Sequence, residues 1–144
     1  MTTTPKTMEL TFTRTIPATP AEVFGAWMDP KHPGNPWTGA KKVILDARVD
    51  GLFFFATAKD PSWPHYGRFL EIERDRRVQY TWMSPFTRGL ESTVTVTFDK
   101  QGDDTLVKLT HAGLPDDDYG RAHDDGWNQC LGLFGEQFPA GRSR

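Results

Sequence analysis

Residues 121–130, "RAHDDGWNQC", set a histidine, two aspartates, a tryptophan and the chain's one cysteine within ten positions. Three chemistries use such residues: metal binding, thiolate attack and proton transfer. A metal pair on a helix needs ligands one turn apart, at i and i+3 or i+4. His123 has Gly126 and Trp127 one turn on and Gly120 and Tyr119 one turn back, so no metal site is expected. Cys130 could attack as a thiolate only beside a base that lowers its pKa. On a helix face with Trp127 and Phe134 it reads instead as a small hydrophobe. Proton transfer is left. His111 ends a run of inward strand positions and His123 faces inward from the helix. With an ordinary imidazole pKa of about 6.5, the two could work as an acid–base pair across a cavity. The competing reading makes each a hydrogen-bonded packing residue. Arg68 shares a strand face with Tyr66, Leu70 and Ile72, where it could orient a carboxylate or enolate ligand or pair with a carboxylate at the sheet margin. His111, His123 and Arg68 are therefore the catalytic candidates, and catalysis is assigned outright to none. The chain has no phosphate-cradling glycine loop and no paired cysteines, so no cofactor is expected.

These side chains need a helix and a sheet to hold them. After Pro115, three aspartates, Asp116 to Asp118, suit the positive end of a helix dipole, and a helix over about residues 116–138 follows. At about 100° per residue, His123, Trp127, Cys130, Leu131, Phe134 and Phe138 gather on one side, with Arg121, Asp125, Gln129 and Glu136 opposite. Asp124 and Asp125 stand at pairing spacing from Arg121. Gly120, Gly126, Gly132 and Gly135 each cost roughly 1 kcal/mol against alanine. The helix must therefore be held by burial of its aromatic face, with Gly126 allowing close approach to its support. Upstream, "MELTFTRTI" (8–16) alternates as a strand. "TPAE" (19–22) is a capping box with proline at the first helical position; it opens a short helix that Asp29-Pro30 ends, and the connection "KHPGNPWTG" has room for a second short helical turn. From residue 41, strand pairs flank Asp50-Gly51, a two-residue hairpin signal, then a charged turn around Arg74 to Arg76, then a loop at Gly102. Alternation turns Val78, Tyr80 and Trp82 inward, and likewise Val107, Leu109 and His111.

Composition narrows the partners. The 144 residues suit one domain, placed at 8–138 with flexible tails at 1–7 and 139–144. A formal charge of -2 announces no nucleic-acid partner, and in "ERDRR" Glu73 and Asp75 interrupt the basic run. No apolar run approaches the ~20 residues of a membrane span, and "MTTTPKTMEL" lacks a secretory layout, so a cytoplasmic protein with no membrane partner is expected. Aromatic residues make up 12% of the chain, with five tryptophans; such side chains fill cores and also line apolar pockets. Trp37 and Trp63 fall in loops, where they would rim a cavity mouth or sit as surface aromatics.

Strand, short capped helices, an antiparallel meander and a long last helix make an α+β order, that of the helix-grip fold. "IPATPAEVFGAWMDPKHPGNPW", "YGRFLEIERDRRVQYTW", "VTVTFDKQGDDTLVKLTHAGL" and "GWNQCLGLF" together resemble the family named after the activator of the ninety-kilodalton heat-shock protein ATPase, in the START-like (SRPBCC) superfamily. The resemblance covers about residues 8–138. It implies a curved antiparallel sheet wrapped around the C-terminal helix, two short helices after the first strand, and a cavity that binds small apolar molecules in many relatives. It implies no shared catalytic residue. The heat-shock activator carries its similar domain after a separate N-terminal domain, for which this chain has no room, and this argues against a chaperone partner. The leading expectation is thus a carrier or sensor of a small apolar or aromatic molecule. Its ligand would meet Trp37, Phe55, Tyr66, Arg68, Tyr80, Trp82, His111, His123, Trp127, Cys130 and Phe134. The second is an aromatase/cyclase-like or dehydratase-like enzyme, and the third a protein-binding module acting on a chaperone. An exposed edge strand would allow a homodimer.

Overall fold

A computed structural model describes residues 6–58 and 61–138 of the chain. Of the expected tails at 1–7 and 139–144, residues 1–5 and 139–144 lie outside those described, while Thr7 already belongs to the first strand. The elements run β1 (Thr7–Ile16), α1 (Pro20–Met28), β2 (Lys42–Leu45), β3 (Leu52–Ala56), β4 (Pro64–Glu73), β5 (Arg77–Trp82), β6 (Ser92–Gln101), β7 (Asp104–Pro115) and α2 (Asp118–Glu136), with one 3-10 turn at Pro85–Thr87. The seven strands form one antiparallel sheet in the order β1-β7-β6-β5-β4-β3-β2, and α2 packs against it. The α+β architecture is that of the helix-grip expectation. No described helix is long and apolar enough to cross a membrane.

Local chemistry accounts for the elements. Thr19 caps α1 through a reciprocal box with Glu22, and Pro20 takes the first turn, where its missing N–H costs nothing. One short helix follows β1 rather than two. Pro30, Pro33 and Pro36 bar a second helix, and Asn35 organises the connection instead. Its amide donates to the carbonyls of Ala26 and Asp29, and its carbonyl accepts from the Trp37 and Thr38 amides. Trp37, expected at a cavity mouth or on the surface, is thereby driven fully into the core, where its indole N–H donates to the Trp27 carbonyl at 2.8 Å.

The Asp50-Gly51 hairpin expectation is corrected. β2 ends at Leu45, and a six-residue connection follows, because Asp50 N–H donates to the Phe69 carbonyl and Phe69 N–H to the Gly51 carbonyl. Those two residues extend the sheet toward β4 and do not close a tight turn.

Asp117 caps α2 by accepting from Gly120 N–H, and Arg88 pairs with Asp117 at 2.6 Å while lying over the Tyr119 ring. Arg121 pairs with Asp116 and Asp118, not with Asp124 or Asp125 as its spacing suggested. Trp127, Leu131 and Phe134 are buried, and Phe134 meets Trp27 edge-on at 5.2 Å. Each such aromatic contributes on the order of 2–3 kcal/mol when fully buried. This offsets the glycine cost within the helix. The close approach falls at Gly120, where a Cβ would stand 1.8 Å from the Pro115 carbonyl oxygen, and not at Gly126, which has open space around it.

Candidate functional site

Between α2 and the β3–β5 end of the sheet lies a cleft of about 270 Å³. Phe55 on β3, His65 on β4 and Trp82 on β5 form its sheet wall, because odd positions of β3, odd positions of β4 as far as Phe69 and even positions of β5 face inward. Ala122, Gly126 and Cys130, one turn apart on α2, form its helix wall together with His123 and Trp127. Pro36, Thr57 and Phe86 close its ends. Ala122 and Gly126 are exposed, so the cleft opens to solvent along α2. A neighbouring cavity shares Pro36, Phe55 and Thr57 and extends to Trp63, which packs edge-on against Phe86 at 5.3 Å.

Of the residues singled out from sequence, Phe55, Trp82, His123, Trp127 and Cys130 line this cleft. Trp37, Tyr80, His111 and Phe134 are fully buried and do not line it. Tyr66 and Arg68 are corrected: both are exposed on the outer face of the sheet, where they border a separate groove with Ile44, Leu52 and Met83. The cause is a β-bulge between Phe69 and Glu71. Below it Ile72 packs on the core, and an unbroken period of two would turn Leu70, Arg68 and Tyr66 inward as well. The extra residue reverses the parity, so His65, Gly67 and Phe69 point in. His65 is thus the titratable site residue that sequence reasoning missed, along with the lining residues Pro36, Thr57, Phe86, Ala122 and Gly126. Its signal was the strand parity, which the bulge concealed.

Three histidines converge here with different duties. The rings of His111 and His123 meet edge-on with centroids 5.1 Å apart, yet they are not an acid–base pair. Trp127 Nε1–H donates to His111 Nδ1 at 2.9 Å, which makes Nδ1 an acceptor and puts the proton of the neutral ring on Nε2. Nε2–H then donates to Ser92 Oγ at 2.7 Å, and the serine hydroxyl donates to the Trp82 carbonyl. Both His111 nitrogens are occupied, and burial pushes its pKa down to about 2. It is a structural residue with no lone pair to offer a substrate.

His65 and His123 are arranged differently. His65 stacks on Phe55 with centroids 4.7 Å apart, and its Nδ1–H donates to the Trp63 carbonyl. Burial pushes its pKa down to about 4; the hydrogen bond to Trp63 works the other way, and nearby His123 adds a further lowering. His123 Nδ1–H is shared between the Tyr119 and Gly120 carbonyls, one turn back. Burial lowers its pKa too, against those two hydrogen bonds. In each neutral ring the proton sits on Nδ1, and Nε2 keeps an unshared pair without a partner among the described residues.

Cys130 is no nucleophile. Burial pushes its thiol up to about 12, and among the described residues its one hydrogen-bond contact is the Gly34 carbonyl at 3.5 Å. Tyr80 is fully buried, and burial raises its phenol far above the ordinary range. The nearby Trp27 indole opposes this only in part and does not meet hydrogen-bonding geometry, so the hydroxyl has no partner among the described residues. Tyr80→Phe is therefore expected to leave stability unchanged or raise it by up to about 1 kcal/mol in urea denaturation. A loss of similar size would reveal a partner for the hydroxyl.

A family model described as Activator of Hsp90 ATPase homolog 1-like protein matches residues 17–137. Among solved structures, protein CV1439 from Chromobacterium violaceum superposes with a TM-score of 0.78 at 23% identity, over 90% of this chain and 96% of its own. An HSP90 activator from Plasmodium falciparum gives a TM-score of 0.67 at 21% identity, over 87% of this chain and 91% of its own. DynU16, from the dynemicin biosynthetic locus, gives 0.74 at 15% identity, over 93% of this chain and 48% of its own. At such identities the likeness is one of fold. Comparison with curated proteins finds no match.

Proposed function

This chain belongs to the Activator of Hsp90 ATPase homolog 1-like family, and from that premise we propose that it is a binding protein for a small, largely apolar molecule held in the cleft between α2 and the sheet. The observation that carries this reading is the makeup of the cleft. Phe55, Trp82 and Trp127 wall it, while Ala122, Gly126 and Cys130 keep the helix side narrow, so that about 270 Å³ is left beside aromatic faces. That volume falls just below the usual range of ligand pockets, roughly 300 to 1,000 Å³, so it suits a molecule of one or two rings. Of the catalytic candidates, His111 is saturated with hydrogen bonds and Arg68 borders a different groove, so His123 alone reaches the cleft, and the Cys130 thiol beside it is held protonated.

The test is thermal shift with a panel of one- and two-ring aromatic compounds. A ligand at about 100 times its Kd adds roughly 2.7 kcal/mol to stability, which raises the Tm of a domain this size by several degrees. Gly126→Leu supplies the control. A Cβ at this position meets no atom within 4 Å, and leucine is the better helix former by somewhat under about 1 kcal/mol. The variant is expected to melt no lower than the parent and to lose the ligand-induced shift. A shift of equal size in Gly126→Leu would move the ligand elsewhere, and a panel without any shift would end the reading.

A further inference from the structure

Resting on that reading, the polar atoms of the cleft say which class of molecule it takes. Among the described residues no Lys, Arg, Asp or Glu lines it. A carboxylate or phosphate turned toward the aromatic walls would find no countercharge among the described residues and would give up part of its hydration, which is disfavoured. An ammonium group would meet no carboxylate either. The available polar features are neutral: the Nε2 lone pairs of His65 and His123, and the Thr57 hydroxyl, which accepts from Trp63 N–H and keeps its own proton to donate. Both imidazoles are held as Nδ1–H tautomers by backbone carbonyls, so each cleft-lining ring keeps an Nε2 acceptor in advance of any ligand. A ketone or ether has no proton for them. A hydroxyl donates to a histidine and still accepts from Thr57.

We infer that the ligand of this cleft is a neutral aromatic molecule of one or two fused rings whose hydroxyl donates to Nε2 of His65 or His123, and that aryl carboxylates are rejected. The stack of His65 on Phe55 fixes the plane of one acceptor, and Trp82 and Trp127, with centroids 5.1 Å apart, supply the faces against which the rings lie. Polarity thus selects among molecules that the apolar walls alone would treat alike.

The full chain at pH 7.5 is titrated with 2-naphthol, naphthalene, 2-methoxynaphthalene, 2-naphthoate and 2-naphthylmethylammonium, with affinities read from the concentration dependence of Tm. 2-Naphthol is expected to bind about tenfold more tightly than naphthalene. 2-Methoxynaphthalene, which keeps the oxygen but lacks the proton, should match naphthalene, and the two ions should bind more weakly still. In His65→Phe combined with His123→Leu, the preference for 2-naphthol over naphthalene should fall to within about twofold. Naphthoate or the ammonium compound binding as tightly as 2-naphthol overturns the inference, and so does a methoxy compound equal to 2-naphthol, which needs no variant to fold. Naphthalene binding without any hydroxyl preference overturns this inference alone. If none of the five moves the melting temperature, the inference and the binding reading fall together.

Discussion

Lowering the pH from 7 to 4 is expected to unfold this protein through its interior histidines. His65 is held at about 4 and His111 at about 2, chiefly by burial, and His123 is lowered as well. Unfolding returns each ring to an ordinary value of about 6.5. Between that value and the folded one, the unfolded chain binds protons that the native state refuses. The contribution to stability is therefore complete above about 6.5 and is lost as the pH falls toward the folded value, at about 1.4 kcal/mol per pH unit for each histidine. By pH 4, His65 and His111 together withdraw roughly 6 kcal/mol, comparable with the whole stability of many domains, roughly 5–15 kcal/mol. Asp117 at the α2 cap has its carboxyl held below the usual range by the Gly120 N–H and by Arg88, so its contribution is lost only at still lower pH. Urea denaturation by tryptophan fluorescence at pH 7, 6, 5 and 4.5 measures the slope directly. A fall corresponding to two or three protons is expected between pH 6 and 5, with about one proton fewer in His65→Phe. A curve flat between pH 6.5 and 5 would mean that the folded protein accommodates charged imidazoles, contrary to the packing around His111.

The parts of the molecule legible in the sequence are those that local chemistry decides. The α1 capping box, the aspartate at the α2 cap, and the alternation of Val94, Val96 and Phe98 each follow from neighbouring residues alone, and the structure places all three accordingly. What escaped depends on partners distant in the chain. The β4 bulge appears only when Phe69 is set beside Tyr80 and Glu71 beside Gln79, and with it goes the choice between Arg68 and His65 as the inward residue. Trp37 looked like a loop aromatic because its hydrogen bond to the Trp27 carbonyl and its contacts with Phe53 and Tyr80 join segments the sequence keeps apart. Proximity of His111 and His123 was readable from strand and helix faces, but their duties were not. Those were decided by Ser92, Trp127 and three backbone carbonyls that set the tautomers. Type and spacing brought the two rings together; hydrogen-bond direction separated them.

His111→Leu is expected to cost about 3–5 kcal/mol in urea denaturation, the largest loss from a single side chain predicted for this fold. His111 is fully buried and joins four elements: Ser92 opens β6, Trp82 closes β5, His111 lies on β7 and Trp127 on α2. Leucine offers neither acceptor nor donor. The Trp127 indole N–H and the Ser92 hydroxyl each lose a buried partner, at about 1–3 kcal/mol apiece. Trp127→Phe alone strands only His111 Nδ1 and should cost less than His111→Leu. In the double variant the Trp127–His111 bond has lost both ends, and removing both partners is far cheaper than orphaning one. The two losses should accordingly fall short of additivity by about 1–3 kcal/mol. Additive losses would show that the Trp127–His111 contact is incidental packing. Ligand selectivity separates this role from that of the cleft histidines. Protein that still folds with His111→Leu should keep its preference for a hydroxyl, because the lone pairs that read the ligand belong to His65 and His123, while His111 spends both of its nitrogens holding α2 against the sheet.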